Sequence, residues 1–271
     1  MRLRVFAISS RLQSSFVGVK DAARYIPRRA LLYVPASNEK MLAKADSVVI
    51  ELEDGVALTA KAEARKNAVA ALDTLVDKPR KAFELGVRVN SVASGLLEDD
   101  VMALSRAQHL PDAFMIPKVD SPEDLAAIFD AFKRNYTPPR VTDTKTRMVI
   151  WIESARALLD MPRILSTALN LHSSTGFFKL DAVVFGSDDY CADIGATRSA
   201  EGLENIYARQ RFVACCKAFQ LQAIDSVYID LKDTDGLRRS SEQGRSWGFT
   251  GKQTIHTSQA SITFRSPIRL S

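Results

Sequence analysis

The sequence predicts an α/β protein built as a (β/α)8 TIM barrel, and three observations lead to this fold class. Short apolar runs rich in β-branched residues alternate with longer helix-like segments between residues 25 and 256, a pattern typical of right-handed βαβ units and a parallel sheet. Eight such units in this length are the size of a closed barrel. Three of the runs, at 48–55, 148–154 and 181–189, end in acids, and barrel enzymes carry their active sites where the strands end.

The strand candidates are eight short runs in which apolar and β-branched residues recur. In chain order they are 30–35, 47–53, 84–90, 113–119, 148–153, 181–186, 223–229 and 248–256. An open doubly wound sheet that binds a nucleotide is the alternative, and it requires a glycine-rich turn after the first strand. Because Ala36, Ser37 and Asn38 follow the first run, the sequence favours the closed barrel.

Six helix-like segments lie between these runs, at 38–45, 59–76, 96–107, 122–135, 154–169 and 200–219. The fourth has a clear start signal, since Ser121 can cap the helix, Pro122 suits its first turn and Asp124 stands at capping-box spacing. The second carries alanines and leucines at three- and four-residue intervals. This spacing predicts one apolar stripe against a charged face.

The formal net charge of +5 belongs to the N-terminal segment. Residues 1–29 hold seven Lys or Arg against one acid, whereas the rest of the chain holds 30 basic and 31 acidic side chains. The charge therefore indicates no nucleic-acid-binding face. No apolar run reaches the roughly 18 residues needed to span a bilayer, so we expect no membrane-spanning segment.

Residues 1–24 have the composition of a mitochondrial presequence, with Arg and Ser among scattered large apolar residues and Asp21 as the single acid. Arg11 interrupts the one stretch that resembles a secretory signal. A disordered basic tail is the alternative. The three cysteines, an odd number, indicate no disulfide framework, which fits the reducing matrix of a mitochondrion.

The acids at two neighbouring strand ends predict a metal site. Glu153 and Asp189 follow the fifth and sixth runs, and adjacent strands lie only about 4.8 Å apart. Two carboxylates that converge in this way can share one Mg²⁺ and leave its other positions to water and substrate. The alternative for each acid alone is a helix cap. Their occurrence on successive strands favours the metal.

Basic residues near the strand ends predict an acidic ligand. Arg88 ends the third run, and a guanidinium binds a carboxylate through two parallel hydrogen bonds; a structural salt bridge to Glu53 or Asp54 is the alternative. Lys40 and Lys44 are four residues apart on one helical face. They can meet a phosphorylated ligand at the rim or be ordinary exposed lysines.

Nine motifs occur in order between residues 25 and 256: RALLYVPASNEKM, VIELEDGV, VRVNS, MIPKVDSPEDL, IESARALL, VVFGSDDYCADIGA, YARQ, QAIDSVYID and GFTGKQTIH. Together they resemble the citrate lyase β-subunit branch of the malyl-CoA lyase and HpcH/HpaI aldolase superfamily. The resemblance implies a (β/α)8 barrel, usually a homotrimer, that cleaves (3S)-citramalyl-CoA to pyruvate and acetyl-CoA with Mg²⁺ as its cofactor.

The resemblance also implies roles for individual residues. Glu153 and Asp189 correspond to the metal ligands, and Arg88 to the catalytic contact with the acid substrate. Further groups are implied to touch substrate or CoA: Tyr33, Lys40, Lys44, Ile255 and His256. Three more acids are implied to support the ligands or orient the substrate: Glu53, Asp54 and Asp188.

The sequence departs from this family at its C-terminal end. Relatives continue into a final helix and a lid that covers a neighbouring subunit's site and carries a catalytic aspartate. After Glu242 this chain has no Asp or Glu, and 257–271 shows no helical stripe. We therefore expect a barrel at 25–256 that lacks the final helix and lid, followed by a short tail. Loss of a general acid predicts a rate lower by about 10²- to 10⁴-fold.

Two alternatives to the lyase function stay open on the sequence. Malyl-CoA hydrolysis, or the reverse condensation of the malate synthase type, uses the same enolate chemistry. Outside the enzymes, the alternative is a non-catalytic protein that binds CoA esters.

Overall fold

A closed barrel of eight parallel strands forms the centre of the computed structural model, which describes residues 26–34, 45–75, 84–137, 145–199 and 201–264. The strands pair in chain order, and the eighth returns to pair with the first. They are β1 (Ala30–Val34), β2 (Ser47–Glu51), β3 (Glu84–Arg88), β4 (Ala113–Ile116), β5 (Arg147–Ile152), β6 (Lys179–Phe185), β7 (Gln222–Asp225) and β8 (Gly251–Thr254). Each strand overlaps a predicted run, so the barrel prediction is confirmed.

Helices follow the strands around the outside of the barrel. Those in the described ranges are α1 (Lys61–Leu75), α2 (Leu97–Leu104), α3 (Pro122–Asn135), α4 (Ala155–Thr175), α5 (Ser187–Ile194), α6 (Ile206–Ala218), α7 (Thr234–Trp247) and α8 (Thr257–Phe264). The start signal of α3 is confirmed, because the Ser121 side chain accepts a hydrogen bond from the Asp124 backbone N–H. The predicted helix at 38–45 lies, except for Ala45, outside the described residues, as does the predicted presequence at 1–24.

Two apolar layers hold the barrel together. Alternate strand residues fill its interior and are fully buried: Leu31, Val49, Ala113, Met115, Val149, Trp151, Ala182, Val184 and Ile224. The intervening residues face the helices, where Phe114, Phe132 and Phe178 pack with ring centroids 4.8–5.0 Å apart. Because side chains alternate along a strand, every second residue beyond the interior set points into the mouth of the barrel.

The amino-terminal end of the barrel is closed by a buried ion network. The Arg28 guanidinium donates to both carboxylate oxygens of Glu84 at 2.7 and 2.5 Å, and the two side chains are fully buried. Ser47 Oγ adds a bond of 2.6 Å to the same carboxylate. Every oxygen of this acid therefore has a donor, as expected at the end of a barrel that serves stability.

The prediction that no helix follows the eighth strand was wrong, because α8 follows β8 and packs against α7 and β1. The apolar spacing of the sequence did not indicate this helix, because its buried face includes the polar residues Gln259 and Thr263 beside Ala260. The Gln259 side chain accepts a bond from Ile255 N at 3.0 Å and donates one to the Tyr228 carbonyl at 2.7 Å. Hydrogen bonds thus allow polar residues to be buried on this helix, and a search for a stripe of apolar residues does not detect a helix of this kind.

None of the helices in the described part of the chain is both long enough and apolar enough to cross a membrane.

Candidate active site

A cavity of about 640 Å³ opens at the carboxyl ends of the barrel strands. Its walls include side chains from several strands and the loops after them, among them Tyr33, Glu51, Arg88, Glu153, Asp189 and Gln253. The alternation of side chains along each strand brings these groups together at the mouth of the barrel. Glu153 follows Val149 and Trp151 at two-residue intervals on the inward face of β5, and Glu51 follows Val49 on β2 in the same way.

Arg88 lies at the centre of an ion-pair network on one wall. Its Nη2 is 2.7 Å from Glu51 Oε2 and its Nη1 is 3.0 Å from Glu53 Oε2. The guanidinium carbon stands 4.6 Å from the centre of the Tyr33 ring, within the range of a cation–π contact. Burial raises the pKa of Glu51, although the charge of Arg88 opposes this effect. The network fixes the guanidinium plane at the cavity wall.

The first strand is tied to the eighth at the same level. The Tyr33 hydroxyl donates to Gln253 Oε1, which also accepts from Trp151 Nε1 at 3.2 Å. The Gln253 Nε2 donates to the Phe185 carbonyl at 3.0 Å. Burial raises the pKa of Tyr33, so the phenol keeps its proton and acts as a donor.

The two predicted metal ligands lie close to Lys118. Glu153 is buried, and its Oε2 accepts a hydrogen bond from the Lys118 backbone N–H at 3.0 Å. The Lys118 Nζ is 2.8 Å from Glu53 Oε1, 2.7 Å from Asp54 Oδ2 and 3.7 Å from Asp189 Oδ2. Lys118 adopts a positive φ of 51°, a conformation that costs free energy outside glycine and concentrates at functional sites.

The charges around Glu153 fit a bound cation. Burial, then the negative charges of Asp189 and Glu53, raise the pKa of Glu153 to about 8. A divalent ion between Glu153 and Asp189 would remove this repulsion, and Mg²⁺ commonly uses one or two protein carboxylates. Among the described residues there is no cluster of three or more His, Cys, Asp or Glu side chains arranged for a metal. Two carboxylates would leave the other positions of a six-coordinate ion to water and substrate.

Most of the predicted site residues come together at this cavity. Five others besides the metal pair line it: Tyr33, Asp54, Arg88, Asp188 and Ile255. Glu53 lies beside it, bound to Arg88 and Lys118, and Asp188 also pairs with Arg198. Lys40 and Lys44 lie outside the described residues. The roles assigned to all of these residues stay predictions.

His256 is not among the residues that line the cavity. It is exposed, and its Nδ1 lies 2.7 Å from Ser258 Oγ and accepts from the Ser258 backbone N–H at 3.2 Å. These bonds cap the first turn of α8, so the structure gives His256 a local hydrogen-bonding role.

The cavity residues that were absent from the predicted site include Glu51, Ser187 and Gln253. The two-residue alternation of β2 is the signal that could have found Glu51, since it stands two positions before Glu53. Gln253 could be identified as a cavity residue only from the pairing of β8 with β1, in which it lies opposite Leu31. No sequence pattern marks Ser187.

Comparison with known proteins identifies relatives of this barrel. Residues 29–257 match the family model described as HpcH/HpaI aldolase/citrate lyase. The human protein named mitochondrial citramalyl-CoA lyase is 44% identical over 244 residues, which are 88% of this chain and 70% of that protein.

Solved structures of similar fold include RipC from Yersinia pestis, with a TM-score of 0.69, 27% identity and coverage of 88% of this chain and 93% of that one. Another is the protein CitE from Mycobacterium tuberculosis in complex with magnesium and acetoacetate. It has a TM-score of 0.67, 25% identity and coverage of 88% and 89%.

Proposed function

The chain belongs to the HpcH/HpaI aldolase/citrate lyase family, and from this membership we propose that it is a Mg²⁺-dependent carbon–carbon lyase that cleaves (3S)-citramalyl-CoA to pyruvate and acetyl-CoA. The observation that carries the reaction class is one cavity that Arg88 and the acid pair Glu153 and Asp189 line together. The choice of substrate is supported by the 44% identity to the human citramalyl-CoA lyase.

In this proposal Arg88 binds the carboxylate of the oxo-acid half of the substrate. Glu51 and Glu53 hold its guanidinium at 2.7 and 3.0 Å, and the Tyr33 ring covers one face of it. A guanidinium fixed in this way loses little further side-chain freedom when a carboxylate binds, which favours affinity.

Glu153 and Asp189 are the proposed ligands of Mg²⁺, an ion present in the CitE structure of similar fold. The bound ion would act as a Lewis acid toward the substrate oxygens and lower the cost of negative charge on the hydroxyl oxygen. In the cleavage the hydroxyl proton is lost to a base, the electron pair of the carbon–carbon bond passes to the acetyl-CoA enolate, and the former hydroxyl carbon becomes the keto carbon of pyruvate. Protonation of the enolate carbon then gives acetyl-CoA, so the net change is transfer of the hydroxyl proton to that carbon. Lys118 holds Glu53 and Asp54 at 2.8 and 2.7 Å, so the neighbouring acids stay paired while Glu153 and Asp189 face the ion.

The cellular setting belongs to the same proposal. The basic composition of residues 1–24 and the mitochondrial name of the human relative support a presequence and a matrix location. We assign the catalytic barrel to residues 25–256 and include α8 with it, because this helix packs against α7 and β1. A homotrimer that binds acyl-CoA is the proposed assembly.

Turnover of citramalyl-CoA with purified protein tests the function. Pyruvate formation is followed through NADH oxidation by lactate dehydrogenase, with Mg²⁺ and with EDTA. We expect activity that requires Mg²⁺ and falls at least 100-fold in Asp189→Asn, since a lost metal ligand removes the Lewis acid. Glu63→Gln is the matched control, because Glu63 lies in the first turn of α1 and its side chain is exposed.

Three results would contradict the proposal. Cleavage that persists in EDTA would exclude the metal role, and full activity of Asp189→Asn would exclude this ligand. Tight acetyl-CoA binding without turnover would instead indicate a CoA-ester-binding protein.

A further inference from the structure

The Ser187 hydroxyl is a buried polar group without a partner. The residue is 2% exposed, and its Oγ has no hydrogen-bond partner among the described residues. Ser187 is the first residue of α5 and lines the cavity at the strand ends. Burying a hydroxyl without a hydrogen bond costs free energy that an alanine at the same place would not cost.

Other serines at corresponding positions are satisfied. Ser154, between β5 and α4, donates to Asp120 at 2.6 Å and accepts from Ala157 N at 3.0 Å. Ser121, between β4 and α3, accepts from Asp124 N at 3.2 Å. Both act as helix caps, whereas Ser187 stands one residue after the cap position of its helix. The unpaired state of Ser187 is thus specific to this loop.

Ser187 lines the same cavity as the two proposed metal ligands, Glu153 and Asp189. Its neighbour Gly186 is packed so closely on Glu153 that an added Cβ would lie 2.2 Å from Glu153 Oε1. Asp189 follows two residues later in the first turn of α5. A ligand oxygen held by these carboxylates would therefore lie near the loop that carries the Ser187 hydroxyl.

We propose that Ser187 donates a hydrogen bond to a carboxylate oxygen of the oxo-acid half of the substrate. This inference rests on the proposed function. An oxo acid offers only acceptor oxygens at this end, and the nearby protein groups Glu153 and Asp189 are themselves acceptors. The hydroxyl is a neutral donor among the residues that line the cavity, as Arg88 is a charged one, and binding would complete its hydrogen bonding.

The test is calorimetric binding of pyruvate to the Mg²⁺-loaded full chain. A hydrogen bond to a charged group corresponds to about a 10- to 100-fold change in affinity. We expect Ser187→Ala to raise the Kd for pyruvate by at least tenfold, with Mg²⁺ affinity within twofold of wild type. Ser187→Cys, which keeps the size but is a weak donor, is expected to weaken pyruvate binding in the same direction.

The melting temperature of the ligand-free protein separates this role from a structural one. For Ser187→Ala we expect a Tm equal to or above that of wild type, because the substitution removes an unpaired group. Ser121→Ala is the matched control, with a lower Tm through loss of its cap and an unchanged Kd for pyruvate.

Each contrary outcome has a distinct meaning. Unchanged pyruvate binding in Ser187→Ala would overturn the inference and leave the lyase function intact. Weaker Mg²⁺ binding with unchanged pyruvate affinity would assign the hydroxyl to a metal-bound water and overturn it as well. A wild-type chain that neither binds pyruvate nor cleaves citramalyl-CoA would refute the proposed function and this inference with it.

Discussion

Mg²⁺ binding to this chain should release a proton, because the proposed ligand Glu153 is protonated at neutral pH without the ion. Burial and the charges of Asp189 and Glu53 raise the pKa of Glu153 to about 8. A carboxylate must lose its proton before it can coordinate a metal. The binding reaction at pH 7 is therefore an exchange of Mg²⁺ for a proton.

The size of the effect follows from the pKa. With a pKa of about 8, the Glu153 carboxyl is about 90% protonated at pH 7, so Mg²⁺ should release about 0.9 proton there and about 0.1 proton at pH 9. The apparent Mg²⁺ affinity should rise about tenfold for each pH unit below 8 and become constant above it.

Calorimetry in buffers of different ionisation enthalpy measures the released proton directly. The observed binding enthalpy at pH 7 should change with the buffer enthalpy with a slope near 0.9, and the slope should approach zero at pH 9. Glu63→Gln keeps this dependence, since Glu63 lies on α1 and its side chain is exposed. A slope of zero at pH 6 and pH 7, with Mg²⁺ bound, would show that Glu153 is already ionised and refute the reasoning.

Three further predictions concern the same acids. The raised pKa of Glu153 contributes stability that is fully present below about pH 4.5 and is lost as the pH rises through 8. The Tm of EDTA-treated protein should therefore fall over this pH range, and Mg²⁺ should oppose the fall. A Tm that rises throughout this range in EDTA would contradict the predicted sign. Gly186→Ala should weaken Mg²⁺ binding at least tenfold in calorimetry, because the Cβ of the new alanine would stand 2.2 Å from Glu153 Oε1. Unchanged Mg²⁺ affinity would exclude Glu153 as a ligand. Lys118→Met should tighten Mg²⁺ binding by roughly tenfold at low salt, since it removes an ammonium group 3.7 Å from Asp189. The gain in affinity should be smaller at high salt. Weaker binding would show that Lys118 instead holds the ligands in place.

The parts of the fold that depend on local signals could be predicted from the sequence. Helix α3 begins and ends at the predicted residues because Ser121 caps it and Pro122 occupies its first turn. The strands were found because parallel strands are buried on both faces and appear as short apolar runs. Their order around the barrel followed from the right-handed βαβ rule.

Features that depend on distant contacts could not be predicted in the same way. Gln253 reaches the cavity only because β8 closes on β1, more than two hundred residues away in sequence. Helix α5 is only eight residues long and has acids in its first turn, so it resembles a loop in an apolar-periodicity analysis. Helix α8 buries Gln259 through bonds to backbone groups, and such partners are unknown before the fold is known.

The two ends of the barrel show how burial alone differs from function. Glu84 at the amino-terminal end is fully buried, and Arg28 and Ser47 donate hydrogen bonds to its carboxylate. Glu153 at the other end is almost as buried, yet the hydrogen bond it receives from the described residues is that of the Lys118 backbone. A buried carboxylate without sufficient donors costs free energy unless it is protonated or bound to a cation. The same fold therefore completes the interactions of one acid with protein groups and leaves the other to be completed by a ligand, which is why the carboxyl-terminal end carries the chemistry.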